Sequence, residues 1–421
     1  MRKTNSWYKW ALILMLWFAF FLNQGDRQVY GAVVSFIETS LRISSEQAGW
    51  VVTVFTVVYG CLAPFGGYVG DFLSRKKIVV ISLIVFSLGT LLTGFADTMG
   101  AGALAYLIIM RGVATGAGEA FYNPAAISLI TQHHDKTRGL AISLHQSALY
   151  VGMLVSAIVA PIIAESFRWS YAFVGFGIFG LLVACYCDFR MEDTPQISAR
   201  TERIPFKELI VGIFSKKTIW LLALAFGCQV FVNIGITTWA AKYFNFQFFG
   251  GGDDTAAKAS AIAMITSCGF AILGVMIGGH YSDKFSKTTK LARMRTEYIG
   301  LLGGAPFLLM VGLTDNIWLA AAAMSIYGIF RGIYDSNIYA AMFDVIDPKL
   351  RASSVGILTA FAFIVGCLAP VYLGAVQGDS DNPNIENFGW GISSLGVFFL
   401  VGGLLIAAAA KFTFLKERYE E

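Results

Sequence analysis

The chain has 421 residues, 56% hydrophobic and 14% charged, with a mean hydropathy of +0.65, whereas an ordinary soluble domain carries about 25% charged residues. That composition excludes a set of soluble domains, and a net charge of +4 is too small to advertise nucleic acid as a partner. The six cysteines (Cys61, Cys185, Cys187, Cys228, Cys268 and Cys367) lie in or beside hydrophobic stretches without C-x-x-C spacing, so they read as small packing residues rather than a disulfide framework or a metal site.

About 20 apolar residues cross a hydrocarbon core roughly 30 Å thick. On that measure the chain predicts spans near residues 10–34, 47–70, 77–96, 102–131, 139–164 and 169–189. A polar stretch holding Arg190, Glu192, Asp193, Arg200, Glu202, Arg203, Lys207 and Glu208, with Pro195 and Pro205, then reads as a surface linker. Six more spans follow near 218–246, 257–282, 296–313, 317–344, 352–376 and 389–413. The expected organisation is an N-terminal six-helix bundle over 1–189, a cytoplasmic linker over 190–217 and a C-terminal six-helix bundle over 218–421. The first span is expected to be a membrane helix rather than a secretory signal, because no small-x-small cleavage site follows and the segment runs on through Asn23, Gln24, Asp26 and Arg27.

With both termini in the cytoplasm, 24 of the 31 Lys and Arg residues fall on cytoplasmic segments. Only Arg42, Arg168, Lys242 and Lys258 lie outside or at the outer rim. The positive-inside rule therefore predicts a multi-pass protein of the cell (inner) membrane with cytoplasmic termini, embedded in the lipid bilayer.

The two halves repeat. Gly66 to Lys77 (GGYVGDFLSRKK) matches Gly278 to Lys290 (GGHYSDKFSKTTK), with Asp71/Asp283 and Ser74/Ser286 offset by 212. Arg138-Gly139 matches Arg351-Ala352 at 213, and Val151-Gly152 matches Val365-Gly366 at 214. Such a duplication predicts two bundles related by a pseudo-twofold along the membrane normal, with a binding site between them near the midplane.

Twelve spans in two halves, with G-x-x-x-D-x-x-x-R-K between the second and third, resemble the major facilitator superfamily. Within it, Asn23-x-x-Asp26-Arg27 and Arg111-Gly112-x-x-x-Gly116-x-Gly118-Glu119-Ala120-x-x-x-Pro124-Ala125 resemble the spinster-like lipid transporters and the anion:cation symporters of sugar acids. The resemblance implies an all-α membrane protein with 12 transmembrane helices in two pseudo-symmetric bundles. It also implies a protonatable acid at the position of Glu119. Two departures from the superfamily loop, Ser74 for Gly and Phe72 for a basic residue, bear on gating.

A charge at the centre of a membrane helix costs roughly 3 kcal/mol or more and is normally paired or turned toward a wet cavity. Asp26 and Arg27 are adjacent, about 100° apart around the helix, and cannot both face one object. Arg27, with Asn23 and Tyr30 on its face, is the expected anion holder, and Asp26 and Glu119 are the expected proton-coupling acids; the alternative for Asp26 and Arg27 is a local ion-pair network joining the first and fourth spans. Glu119, Tyr122 and Asn123 form a predicted stripe at i, i+3 and i+4. Arg111 could tune that site or position its helix. Arg331 and Asp335 form an i, i+4 pair that reads as a self-neutralising bridge or a cavity-facing pair. Gln146 and Tyr150, with Ser143 and Ser147, mark one face of the fifth span; Gln229 and Asn233, with Thr237, mark one face of the seventh. Both suit a hydroxyl-rich ligand. His145 reads as packed and hydrogen-bonded, and Lys242 as an interfacial anchor. Asp71, Arg75 and Asp283, together with Arg111, are expected to gate.

No P-loop and no H-E-x-x-H motif occurs, so neither ATP hydrolysis nor proteolysis is expected, and no catalytic group, metal or cofactor is assigned. The resulting expectation is a monomeric secondary transporter carrying a small organic anion, a sugar acid or similar carboxylate, with protons. The absence of G-P-x-x-G-G in the fifth span, which has Ala160-Pro161-Ile162-Ile163, favours uptake. A spinster-like lipid or lysolipid exporter, with Phe121, Phe231 and Phe361 lining its path, is the alternative transporter. A non-transporting receptor or scaffold is the alternative of another class, disfavoured by the retained buried charges.

Overall fold

The computed structural model describes residues 6–69, 74–134, 137–192, 206–286, 288–346, 351–380 and 382–418. Among these residues there is no strand, and the chain is built from long helical segments. We label them α1 (Ser6–Ala32), α2 (Ser45–Val69), α3 (Arg75–Thr93), α4 (Gly100–His133), α5 (Arg138–Ser166), α6 (Trp169–Arg190), α7 (Lys217–Phe249), α8 (Asp253–Ser286), α9 (Ala292–Val311), α10 (Ile317–Phe343), α11 (Ser354–Gln377) and α12 (Ile385–Phe412). Ten are long and apolar enough to cross a membrane. The other two, α1 and α9, have 27 and 20 residues, and it is their polar content that sets them apart: Asn23, Gln24, Asp26, Arg27 and Gln28 in α1, and Arg293, Arg295 and Glu297 in α9.

Helix ends follow local chemistry. Ser74 caps α3 by accepting the Lys77 amide at 3.3 Å, and Asn316 caps α10 by accepting the Trp318 and Leu319 amides at 2.9 and 3.2 Å. The long α7, about 50 Å at 1.5 Å per residue, is capped from a distance: Glu417 accepts the Lys217 and Thr218 amides at 3.1 and 2.8 Å. Burial opposes ionisation of Glu417, but these amides and the Lys216 ammonium outweigh it and hold its carboxyl below its ordinary value. At its far end α7 stops at Gly250 and Gly251, both with positive φ (77° and 79°).

The chain divides into two compact units, Met1–Ile43 with Trp50–Ala199 and Ser44–Gly49 with Arg200–Glu421. In the first, α1 packs on α5, α3 on α6, and α4 on α3; in the second, α7 packs on α11, α9 on α12, and α10 on α9. The same neighbours recur six helices later, as the repeat in the sequence requires. The core of the first unit joins Leu12, Leu16 and Phe20 of α1, Leu83 and Phe86 of α3, and Tyr122 and Leu129 of α4.

Because lipid tails are as apolar as leucine, helices here are held by close van der Waals fit, which small residues permit. One such close fit is α8 on α10. A Cβ on Gly332 would stand 2.0 Å from the Ala271 carbonyl oxygen, and one on Gly274 would stand 2.0 Å from that of Ile329. Gly332→Leu is therefore expected to destabilise the second unit by about 1–3 kcal/mol, read as a lower thermal transition in detergent. An unchanged transition would show that this approach can relax at no cost.

Candidate functional site

The polar cluster of the first unit is assembled from α1, α3 and α4. α4 is not a regular helix. It winds through a π-helical stretch at Ile108–Thr115 and breaks at Phe121 (φ −93°, ψ −15°) between Gly116–Ala120 and Tyr122–His133. Thr115 marks the wider turn by donating to the Met110 carbonyl, five residues back, at 2.9 Å. Turns of this kind concentrate at functional sites, and Arg111 sits inside this one.

Two ion pairs result. Arg111 pairs through Nη1 with the Asp26 carboxylate, and its Nη2 donates to the Asp26 carbonyl at 3.0 Å. Thr90 of α3 adds a third bond to Asp26 at 2.8 Å. Both side chains are shut off from water, at 4% and 2% exposure. Arg27 turns the other way and donates from Nε to Glu119 at 2.5 Å. Its guanidinium lies over the rings of Tyr59 and Phe55, at 4.3 and 5.2 Å, and bonds the Tyr59 hydroxyl. Glu119 is fully buried, but Arg27 is 22% exposed. One pair is sealed; the other has an open side.

The second pair is also incompletely satisfied. Arg27 Nη2 and Glu119 Oε1 have no hydrogen-bond partner, nor do Asn23 Nδ2 and Asn123 Oδ1, although all four atoms are buried. Asn23 and Arg27 lie one turn apart on α1, and Glu119 and Asn123 one turn apart on α4, so the unfilled donors are on one helix and the unfilled acceptors on the other. Buried polar groups of this kind call for a partner, which a water or a bound ligand can supply.

The other predicted residues are placed as follows. Tyr122 is buried in the core, where it donates to the Leu16 carbonyl at 2.6 Å and meets His145 Nε2 at 3.2 Å. His145 is packed and bonded as expected, stacked on Phe20 at 4.6 Å. Tyr30 is buried, with the Arg111 guanidinium 6.0 Å from its ring. On α5, Gln146 is exposed and Tyr150 half-buried, while Ser147 accepts from Trp17 at 3.0 Å. In the second unit Arg331 and Asp335 make the expected i, i+4 bridge at 3.4 Å, and Gln229 donates to Asp335 at 3.0 Å. Asn233 is half-buried with its side-chain oxygen unpartnered, and Thr237 bonds back to its own helix. Of the gate residues, Asp71 lies outside the described residues, Arg75 opens α3 half-buried, and Asp283 is exposed near the end of α8. Lys242 corrects an expectation: it is buried at 2%, donates to Ser45 at 3.0 Å and lies between the rings of Trp239 and Phe246, so it is no interfacial anchor.

The family model of the Major Facilitator Superfamily matches residues 16–370 of the sequence. The chain belongs to that superfamily. Its members are transporters, not enzymes. It is 23% identical to the hexuronate transporter of Bacillus subtilis, over 95% of this chain and 93% of that one, and 25% identical to spinster homolog 1 of Xenopus laevis, over 87% and 72%. Among solved structures, a bacterial homolog of the human lysosomal transporter Spinster, inward-facing and unoccupied, superposes with a TM-score of 0.81 at 20% identity over 99% of this chain and 100% of that one. A D-xylose–proton symporter superposes with 0.76 at 17% identity, over 96% and 98%. These likenesses show the fold.

The ion-pair network between the first and fourth helices is present, but sequence reasoning did not single out Arg111 as the partner of Asp26. A signal existed in Arg111-Gly112 and Arg331-Gly332, a repeat pair offset by 220, whose arginines are both 4% exposed and whose glycines both seat a helix against a neighbour, α4 on α2 at Val54 and α10 on α8 at Ala271. Removing one member of a buried pair leaves a bare charge, at a cost of about 3–5 kcal/mol. Asp26→Asn is expected to lose stability on that scale, and Asp26→Asn with Arg111→Met to recover most of it, measured by chemical unfolding in detergent. Equal losses in the single and double variants would mean the pair is not coupled.

Proposed function

We propose that the protein is a secondary active transporter that moves a small organic anion, a sugar acid or similar carboxylate, by alternating access with a proton. The observation that carries this reading is the Arg27–Glu119 pair: a cation with an open side and an unused Nη2, neutralised by an acid shut away from water. A carboxylate can take the place of Glu119 on the planar guanidinium fork through two hydrogen bonds. Displaced Glu119 would then be a bare charge in an apolar unit, which a proton removes. Anion and proton thus load together, and the net charge of the site does not change.

In this reading Asp26 keeps Arg111 neutralised and holds α1 against α4, with any proton exchange there secondary to Glu119. Asn23 and Asn123 flank the bound anion, with Gln229, Asn233, Arg331 and Asp335 as the polar set of the second unit. Arg75, Asp71 and Asp283 serve as gates at the ends of repeat-related helices. We further propose two six-helix bundles over 1–189 and 218–421, cytoplasmic termini, and placement in the cell membrane as a monomer. The similarity to hexuronate and galactarate/D-glucarate transporters of Bacillus subtilis supports the anion.

A lipid or lysolipid cargo is the second reading, favoured by the similarity to spinster proteins. Against it, two of the aromatics that would line a lipid path are taken up by other rings: Phe231 stacks on Phe398 at 4.1 Å, and Phe361 packs on Phe214 and Trp220 at 5.9 and 5.8 Å.

Uptake of radiolabelled D-glucuronate into proteoliposomes, with and without an imposed pH gradient, tests the reading. Glu119→Gln should abolish gradient-driven accumulation yet retain counterflow exchange, and Arg27→Lys should weaken binding at least about tenfold, or 1.4 kcal/mol. Accumulation by Glu119→Gln would remove the coupling role. Transport of lysolipid but of no carboxylate would install the second reading.

A further inference from the structure

The second unit holds a buried acid that the proposed cycle does not use. Glu297, in the second turn of α9, is 1% exposed, and its Oε2 has no hydrogen-bond partner. A cation is within reach on the same helix: Arg293 precedes it by four residues, the spacing at which such pairs form. Arg293 is committed elsewhere. Its Nη1 donates to Asp344, just past α10, at 2.5 Å and reaches the Ala340 carbonyl at 3.5 Å. No ion pair to Glu297 occurs among the described residues. The groups acting on it from packed elements are Asp344 and, from α10, Tyr334; α8 and α12, also packed on α9, bring no charged group into play among the described residues. The wall is tight, since a Cβ on Gly300, one turn on, would stand 2.8 Å from the Tyr334 amide.

Arg293 thus lies one helical turn before Glu297 but is bonded to the more exposed of the two acids, Asp344. An ionised Glu297 would be a buried charge repelled by Asp344, a state that costs several kcal/mol. We propose that Glu297 is a second proton-exchanging site, protonated while Arg293 pairs with Asp344 and ionised when Arg293 swings one turn to pair with it. In that step the Glu297 O–H bond breaks, the proton leaves to water, and the Arg293–Asp344 contact is exchanged for an Arg293–Glu297 contact while Asp344 stays ionised. Charge is conserved, because the released proton balances the new carboxylate. The site would link protonation of the second unit to the contact between the start of α9 and the end of α10. It goes beyond the proposed function and does not depend on what the substrate is.

The test is infrared difference spectroscopy of the purified full-length protein in detergent, reading the C=O stretch of protonated carboxyl groups at neutral pH. Glu297→Gln should remove one such band relative to wild type. Asp344→Asn should remove the same band although Glu297 is still present, because Arg293 is then free to pair with it. Removing the Asp344 charge also eases ionisation of Glu297 by itself, so Asp344→Asn combined with Arg293→Gln is the control: the band should return there if Arg293 is the new partner, and its continued absence overturns the swing. A Glu297→Gln spectrum equal to wild type, or an Asp344→Asn spectrum that keeps the band, overturns the proposal. If Glu297→Gln does not fold, the Asp344→Asn comparison with its control decides alone.

Discussion

A charge inside so apolar a chain must be neutralised where it stands, and the Asp26–Arg111 pair shows what that demands of the fold. Water is excluded from both side chains, so the desolvation cost is repaid only if α1, α3 and α4 bring donor and acceptor together with the remaining lone pairs satisfied. The Thr90 hydroxyl and the two contacts from Arg111 meet that demand. The π-helical turn around Arg111 belongs to the same arrangement, because it sets where along α4 the guanidinium and, two turns later, Glu119 project.

The neighbouring pair derives its properties from this one. Residue 27 follows residue 26 by about 100° of helix, so once Asp26 is fixed on Arg111, Arg27 is aimed elsewhere and lies over Tyr59 and Phe55 against Glu119. A rigid, closed pair beside a partly open one gives a natural division of labour: the first holds the helices, the second can change partners. The second unit uses different arrangements for its buried charges, bridging Arg331 to Asp335 within one helix and supporting Asp335 from α7 through Gln229.

Much of this architecture is legible in the sequence, because span length, apolar composition and a duplicated loop are one-dimensional signals. The Gly66 to Lys77 and Gly278 to Lys290 repeat gives the two-part organisation directly, and the repeated packing partners agree with it. The charged residues of the site are equally visible, since each is costly in a membrane. Their pairing is not, because it depends on contacts 85 and 92 residues apart and on a helix whose phase slips. Tyr122, i+3 from Glu119, likewise meets α1 through a contact 106 residues apart, its hydroxyl spent on the Leu16 carbonyl. Lys242 and Glu297 lie near predicted span ends, where a charge is cheaply explained by an interface, yet both are buried.

The central claim is that anion and Glu119 compete for Arg27, with a proton compensating the loser. Calorimetric titration of D-glucuronate into the purified protein, at one pH in two buffers of different ionisation enthalpy, counts the protons exchanged on binding. The account requires uptake of about one proton per anion bound by the wild type, and none by Glu119→Gln. Anion binding by the wild type without proton uptake would contradict it.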